Sequence, residues 1–166
     1  MLVHDNGKIC VLSATRCGHT SMSRYFRKTP HMDPLGLWTW LISSSRKILV
    51  LRNPYDRLQS ALINAEDFPY GLSNITETKE EWIKVHSEPY LIDIPQTTPF
   101  EIIDFYRLSE YIPMSRDTTR TNTSKIHRTS ITITPEMREE YKRYRYFLTY
   151  CRQISPEEWK ELTENS

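Results

Sequence analysis

The chain has almost no net charge, few cysteines and no long apolar run, and each shortage excludes something. Its 22 basic and 21 acidic residues leave a net charge of +1. That balance argues against a general nucleic-acid or membrane surface, so any anion site must be built locally. No stretch approaches the roughly 20 apolar residues that span a bilayer. The first apolar run begins so close to Met1 that no leader or N-terminal anchor is expected. Three cysteines are an odd number, which speaks against a disulfide framework and for a reducing cytoplasm. In that compartment the sequons Asn74-Ile75-Thr76 and Asn122-Thr123-Ser124 carry no glycan. No Cys/His cluster suggests a metal. A length of 166 residues and 38% hydrophobic content suit one globular domain spanning 1–166.

What is present is organised around Lys8 to Phe26. The apolar run Ile9-Cys10-Val11-Leu12 reads as a buried strand, Ser13 to Gly18 as a break, and His19 onward as the start of a helix. A strand feeding a tight turn and a helix N-terminus makes an anion site, because unpaired N–H groups and the helix dipole face the turn. Gly18 allows close backbone approach, Thr20 and Ser21 add hydroxyls, and Arg16 adds a charged fork. An ordinary strand–turn–helix with polar turn residues has the same pattern.

A second unit is built like the first. Lys47 to Leu51 is a short apolar strand without alternation, as expected where both faces are covered. Arg52-Asn53-Pro54 breaks it, and Tyr55, Leu58, Ala61, Leu62 and Ala65 recur at helical spacing. Between the units, His31 to Ser45 is apolar without a clean period and reads as a buried helix or a short strand. Farther on, a polar helix spans Thr76 to Glu88, with a capping box at Thr78 to Glu81. Phe100 to Tyr106 is a third strand. Arg116 to Ile133 is a long exposed loop. Thr134-Pro135 opens a helix that runs to about Cys151, and Ser155-Pro156 opens a last short one. This alternation predicts an α/β fold with a small, mostly parallel sheet. Ligands in such sheets sit at the carboxyl ends of the strands, where both Arg16 and Arg52 fall. Two cationic turns there can converge on one polyanion.

Together the turns resemble the sulfotransferase family that uses 3′-phosphoadenosine 5′-phosphosulfate (PAPS) and releases the bisphosphate PAP. Thr15-Arg16-Cys17-Gly18-His19-Thr20 corresponds to the family's Pro-Lys-x-Gly-Thr-Thr loop around the 5′-phosphosulfate. Leu51-Arg52-Asn53-Pro54-Tyr55-Asp56-Arg57-Leu58-Gln59-Ser60-Ala61 corresponds to the Arg-(Asn/Asp)-Pro-x-(Asp/Glu)-Arg-Leu-x-Ser-Ala string that holds the 3′-phosphate. Asp104 to Glu110 resembles the family's third-strand segment. Asn122 to Lys125, with Thr134 to Tyr150, resembles its late loop and closing helix. The resemblance implies a P-loop NTPase-like, three-layer fold, and transfer of a sulfuryl group to a hydroxyl of a carbohydrate or small alcohol, without a metal.

Carried over by position, the donor-binding set is Arg16, Cys17, Gly18, His19, Thr20, Ser21, Arg52, Ser60 and Lys125. Arg52 is a permanently charged fork suited to a phosphate that is bound but not reacted, and Ser60 reaches it from two turns along the helix. In the competing reading, Arg52 pairs with Asp56 and Ser60 merely packs. Asp56 and Arg57 read as structural or solvent-facing. Arg16 stands at the family's lysine position, where it supplies charge but no proton. His19 touches phosphate by its ring or its backbone alone, and Cys17 reads as a small loop residue. The acceptor's base is His31, at a spacing before Arg52 similar to cytosolic members, or else Asp33. His86 and His127 read as solvated. Trp38, Trp40, Tyr70 and Trp82 line an acceptor site or pack in the core. Rival readings are a P-loop nucleotide kinase or NTPase, and a nucleotide-binding module impaired in catalysis. The first turn lacks the Gly-x-x-x-x-Gly-Lys-(Ser/Thr) spacing that the former needs. Nothing in the sequence fixes the oligomeric state.

Overall fold

The computed structural model describes residues 1–28, 33–66, 78–114 and 133–164. Two strands open it: β1 (Leu2–Asp5) and β2 (Ile9–Ser13), antiparallel, with Leu2 opposite Ser13 and Asp5 opposite Cys10. The link turns at Asn6-Gly7. Gly7 takes a left-handed φ of 85°, and the Asp5 carboxylate accepts its N–H at 2.9 Å. β3 (Arg46–Leu51) and β4 (Glu101–Asp104) then add in parallel, so the sheet is mixed, in the order β1-β2-β3-β4. The parallel part, β2-β3-β4, is the sheet the sequence predicts. The antiparallel edge strand β1 is an addition to it.

Helices cover both faces. Val3 and His4 point to opposite sides of β1. A Cβ on Gly36 would stand 3.2 Å from Val3 Cγ2, so α2 (Gly36–Ile42) packs on the Val3 side. His4 stacks on Phe26, 3.7 Å between ring centroids, just past α1 (His19–Tyr25). All of β2 and Ile48 to Leu51 of β3 are buried, as their unbroken apolar runs require. The segment 31–45, open between helix and strand in the sequence, carries α2. Its Trp40 is fully buried and donates its indole N–H to the carbonyls of Cys10 and Ile48, at 3.0 and 3.1 Å.

The remaining helices begin where capping chemistry places them. α3 (Pro54–Ala65) has Asn53 as N-cap, accepting from Tyr55 N–H at 2.9 Å. α4 (Lys79–Ser87) carries the predicted capping box between Thr78 and Glu81. α5 (Pro135–Tyr150) starts behind Thr134 and α6 (Pro156–Thr163) behind Ser155. Short 3₁₀ turns cover Leu91–Asp93 and Phe105–Glu110. No helix among the described residues is long and apolar enough to cross a membrane.

Glu140 joins α5 to the first 3₁₀ turn. Its side chain is 1% exposed and accepts the N–H groups of Tyr90, Leu91 and Ile92 at 3.0, 2.9 and 3.1 Å. A charge so buried persists only because those donors satisfy it. Glu140→Ala should therefore lower stability by about 2–5 kcal/mol in urea denaturation, since two buried donors and a partly buried one lose their acceptor. Glu140→Gln should recover part of that loss, and a change below about 0.5 kcal/mol in the alanine variant would contradict this role.

Candidate functional site

The two cationic turns lie side by side at the carboxyl ends of β2 and β3. The first is fixed from within. Ala14 carbonyl accepts Cys17 N–H at 3.0 Å, and Ser13 Oγ donates to Cys17 carbonyl at 2.9 Å. Arg16 has a left-handed φ of 62°, uncommon for a residue with a side chain, and Gly18 one of 78°. The positive φ favours glycine at 18, and a Cβ there would also displace the Leu108 side chain, whose Cδ2 it would meet at 2.4 Å. It forms the N-cap of α1 with no side-chain cap.

The turn is also fixed from outside, by Arg57. This guanidinium is 3% exposed. Its Nε donates to Thr15 carbonyl at 2.8 Å, Nη2 to Thr15 Oγ1 at 3.1 Å, and Nη1 to Glu88 carbonyl at 2.6 Å. It also lies 5.1 Å from the centroid of the Tyr90 ring. Of the two roles the sequence leaves open for Arg57, the structural one applies, since the solvent-facing one does not fit so buried a group. Helical spacing carried a signal for it, because Arg57, Ala61 and Ala65 share the buried stripe of α3.

Arg16 and Arg52 then cross between the turns. Arg16 donates from Nε and Nη2 to Ser60 Oγ, at 3.1 and 2.9 Å. Arg52 donates from Nη1 to the carbonyl of Arg16 and lies over the Phe105 ring, 4.2 Å from its centroid. The competing pairing of Arg52 with Asp56 is not formed. Asp56 instead accepts the Tyr106 hydroxyl, and Arg52 has no ion pair among the described residues. Arg52 Nε is buried and lacks an acceptor among the described residues. An unpaired, charged donor in such a place is costly unless something else supplies the acceptor.

The other predicted residues divide. Thr20 and Ser21 lie in the first turn of α1, Ser21 buried and Thr20 partly exposed. Cys17 is wholly buried, and burial pushes its thiol up, so it behaves as a core residue of the turn and not as a thiolate. His31 and Lys125, with Tyr70 and His127, lie outside the described residues. Asp33 does lie near this end of the sheet, its N–H on Met1 carbonyl at 3.2 Å. Its carboxylate accepts Leu35 N–H at 2.9 Å and so caps the turn into α2. His86 departs from the solvated residue expected. It is half-buried, stacked on Trp82 at 3.9 Å, with Nδ1 2.7 Å from Trp82 carbonyl. Trp40 and Trp82 are buried, whereas Trp38 is 64% exposed on α2. Among the described residues no group of three or more His, Cys, Asp or Glu is placed to hold a metal ion.

No family model, curated protein or solved structure matches the chain.

Burial, with the positive charge of Arg16 next in weight, pushes His19 down from 6.5 to about 4. It is therefore neutral near pH 7. Because the folded value lies below the unfolded one, its contribution is intact above pH 6.5 and lost as pH falls toward 4. Urea denaturation at pH 7 and pH 4.5 should show the wild type losing about 1–2 kcal/mol more than His19→Gln, after discounting for solvent screening. Equal losses would contradict the assignment.

Proposed function

We propose that the chain is a sulfotransferase that moves a sulfuryl group from PAPS to a hydroxyl acceptor, a carbohydrate or small alcohol, on a reduced P-loop NTPase-like fold. The observation that carries this reading is the crossing of the two turns, with Arg16 on Ser60 and Arg52 on the Arg16 carbonyl. It brings two separate stretches that resemble the family's two phosphate-binding motifs into one group at the strand ends. The buried, unpaired Arg52 Nε supports it as well, since an oxyanion would satisfy that donor.

In this reading the donor, when bound, supplies the sulfuryl group. The chain supplies position and charge. Arg52 and Ser60 hold the 3′-phosphate. Gly18, His19, Thr20 and Ser21 line the 5′ side through amides and hydroxyls, with His19 neutral. The family's lysine position would have Arg16 offset charge as the oxygen bound to sulfur departs. Transfer is in line and direct, akin in its physics to phosphoryl transfer. It needs no covalent enzyme intermediate, which agrees with a buried, protonated Cys17. His31 or Asp33 takes the acceptor's proton.

A ligand that binds only the native state raises apparent stability with its concentration. Thermal denaturation with adenosine 3′,5′-bisphosphate should therefore show a rising midpoint in the wild type and none in Arg52→Ala. Stabilisation by magnesium-ATP alone would replace this reading with a nucleotide kinase or NTPase. Bisphosphate binding without transfer from PAPS to any hydroxyl acceptor would leave a nucleotide-binding module.

A further inference from the structure

Arg16 sits where the resembled family places a lysine on the reacting end of the donor. Its surroundings in this chain direct it elsewhere. The peptide groups on both sides of it are fixed: Thr15 carbonyl by Arg57 at 2.8 Å, Arg16 carbonyl by Arg52, and Cys17 N–H by Ala14 carbonyl at 3.0 Å. Held between them at φ 62°, Arg16 has a fixed direction for its Cα–Cβ bond. The side chain leaves toward α3, where both Nε and Nη2 reach Ser60 Oγ. Its fork is thus on the hydroxyl assigned to the 3′-phosphate, two turns into α3.

Among the described residues the group holds more donors than acceptors. Ser60 is 4% exposed; its oxygen accepts from Arg16, while its own proton meets no acceptor among the described residues. Arg52 Nε is buried and unpaired among the described residues. Two guanidinium forks and a hydroxyl, with Arg52 Nε and the Ser60 proton unused among the described residues, suit a phosphate monoester, which carries close to two negative charges at neutral pH and three acceptor oxygens. A singly charged sulfate ester suits them less.

We infer that Arg16 joins Arg52 and Ser60 in one cup for a phosphate monoester, and so selects nucleotides for their 3′-phosphate instead of stabilising the oxygen that leaves sulfur. This rests on the sulfonucleotide reading above and narrows it. Binding would move the Arg16 fork from Ser60 onto the phosphate, with Ser60 donating its proton to the same group.

The test compares the affinities of adenosine 3′,5′-bisphosphate and adenosine 5′-monophosphate by calorimetry, for the wild type, Arg16→Ala, Arg16→Lys and Arg52→Ala. The wild type should prefer the bisphosphate by about 100-fold or more, given two charge-assisted contacts to the extra phosphate. Arg16→Ala should cut that preference at least ~10-fold, as Arg52→Ala does, while affinity for the monophosphate changes less than ~3-fold. Arg16→Lys keeps the charge at the turn, so it serves if the alanine variant does not fold, and it should also lose preference because a point charge lacks the fork. An Arg16 variant that weakens both nucleotides equally, with the preference intact, overturns this inference and leaves the sulfonucleotide reading standing. A wild type that binds no bisphosphate overturns both.

Discussion

The buried guanidinium of Arg57 is the constraint on which the site depends. A charge at 3% exposure is costly unless every donor finds an acceptor. Here the acceptors are Thr15, through its carbonyl and hydroxyl, and Glu88 carbonyl. One side chain of α3 therefore ties the turn after β2 to the end of α4. The Tyr90 ring lies against the same guanidinium, and Glu140 holds the Tyr90 N–H from α5. Elements far apart in sequence are thereby locked round the turn that carries Arg16.

That rigidity has a chemical use. A left-handed backbone at Arg16 persists because neighbouring hydrogen bonds over-determine it. The turn then presents its guanidinium to Ser60 while its carbonyl engages Arg52. The two cationic turns become one structure, in which Arg52 Nε has no acceptor among the described residues. The proposed reading fills this arrangement with a phosphate-bearing nucleotide, and the sulfuryl transfer proposed with it relies on position and charge.

Much of the framework was legible in the chain, for identifiable reasons. β2 and β3 showed as uninterrupted apolar runs because both their faces are covered. α3, α4, α5 and α6 announced themselves through Asn53, Thr78, Thr134 and Ser155, whose side chains cap in the way their spacing implies. β1 was not legible as a strand. Four residues including His4 and Asp5 show no apolar pattern, although Asn6-Gly7 is a hairpin turn in its own right. α2 was ambiguous because Trp40 is buried whereas Leu35, Trp38 and Ile42 are exposed, so its apolar residues do not mark one face. Glu140 stayed hidden because its own stretch, Arg138-Glu139-Glu140, reads as charged surface. The Arg16–Ser60 contact spans 44 positions, and no local pattern encodes it. The sequence placed both turns at strand ends, but which side chain of one turn would meet which of the other depended on the tertiary fold.

The central claim is that Arg16 and Arg52 act as one anion-binding group. Nitrogen-edited NMR of the arginine Nε–H signals, assigned by Arg→Lys substitution and followed during titration with adenosine 3′,5′-bisphosphate, tests it most directly. The account predicts that the Arg16 and Arg52 signals shift together along one saturation curve, while the signal of Arg57 stays in place. Movement of Arg52 alone, or of neither arginine, would contradict it.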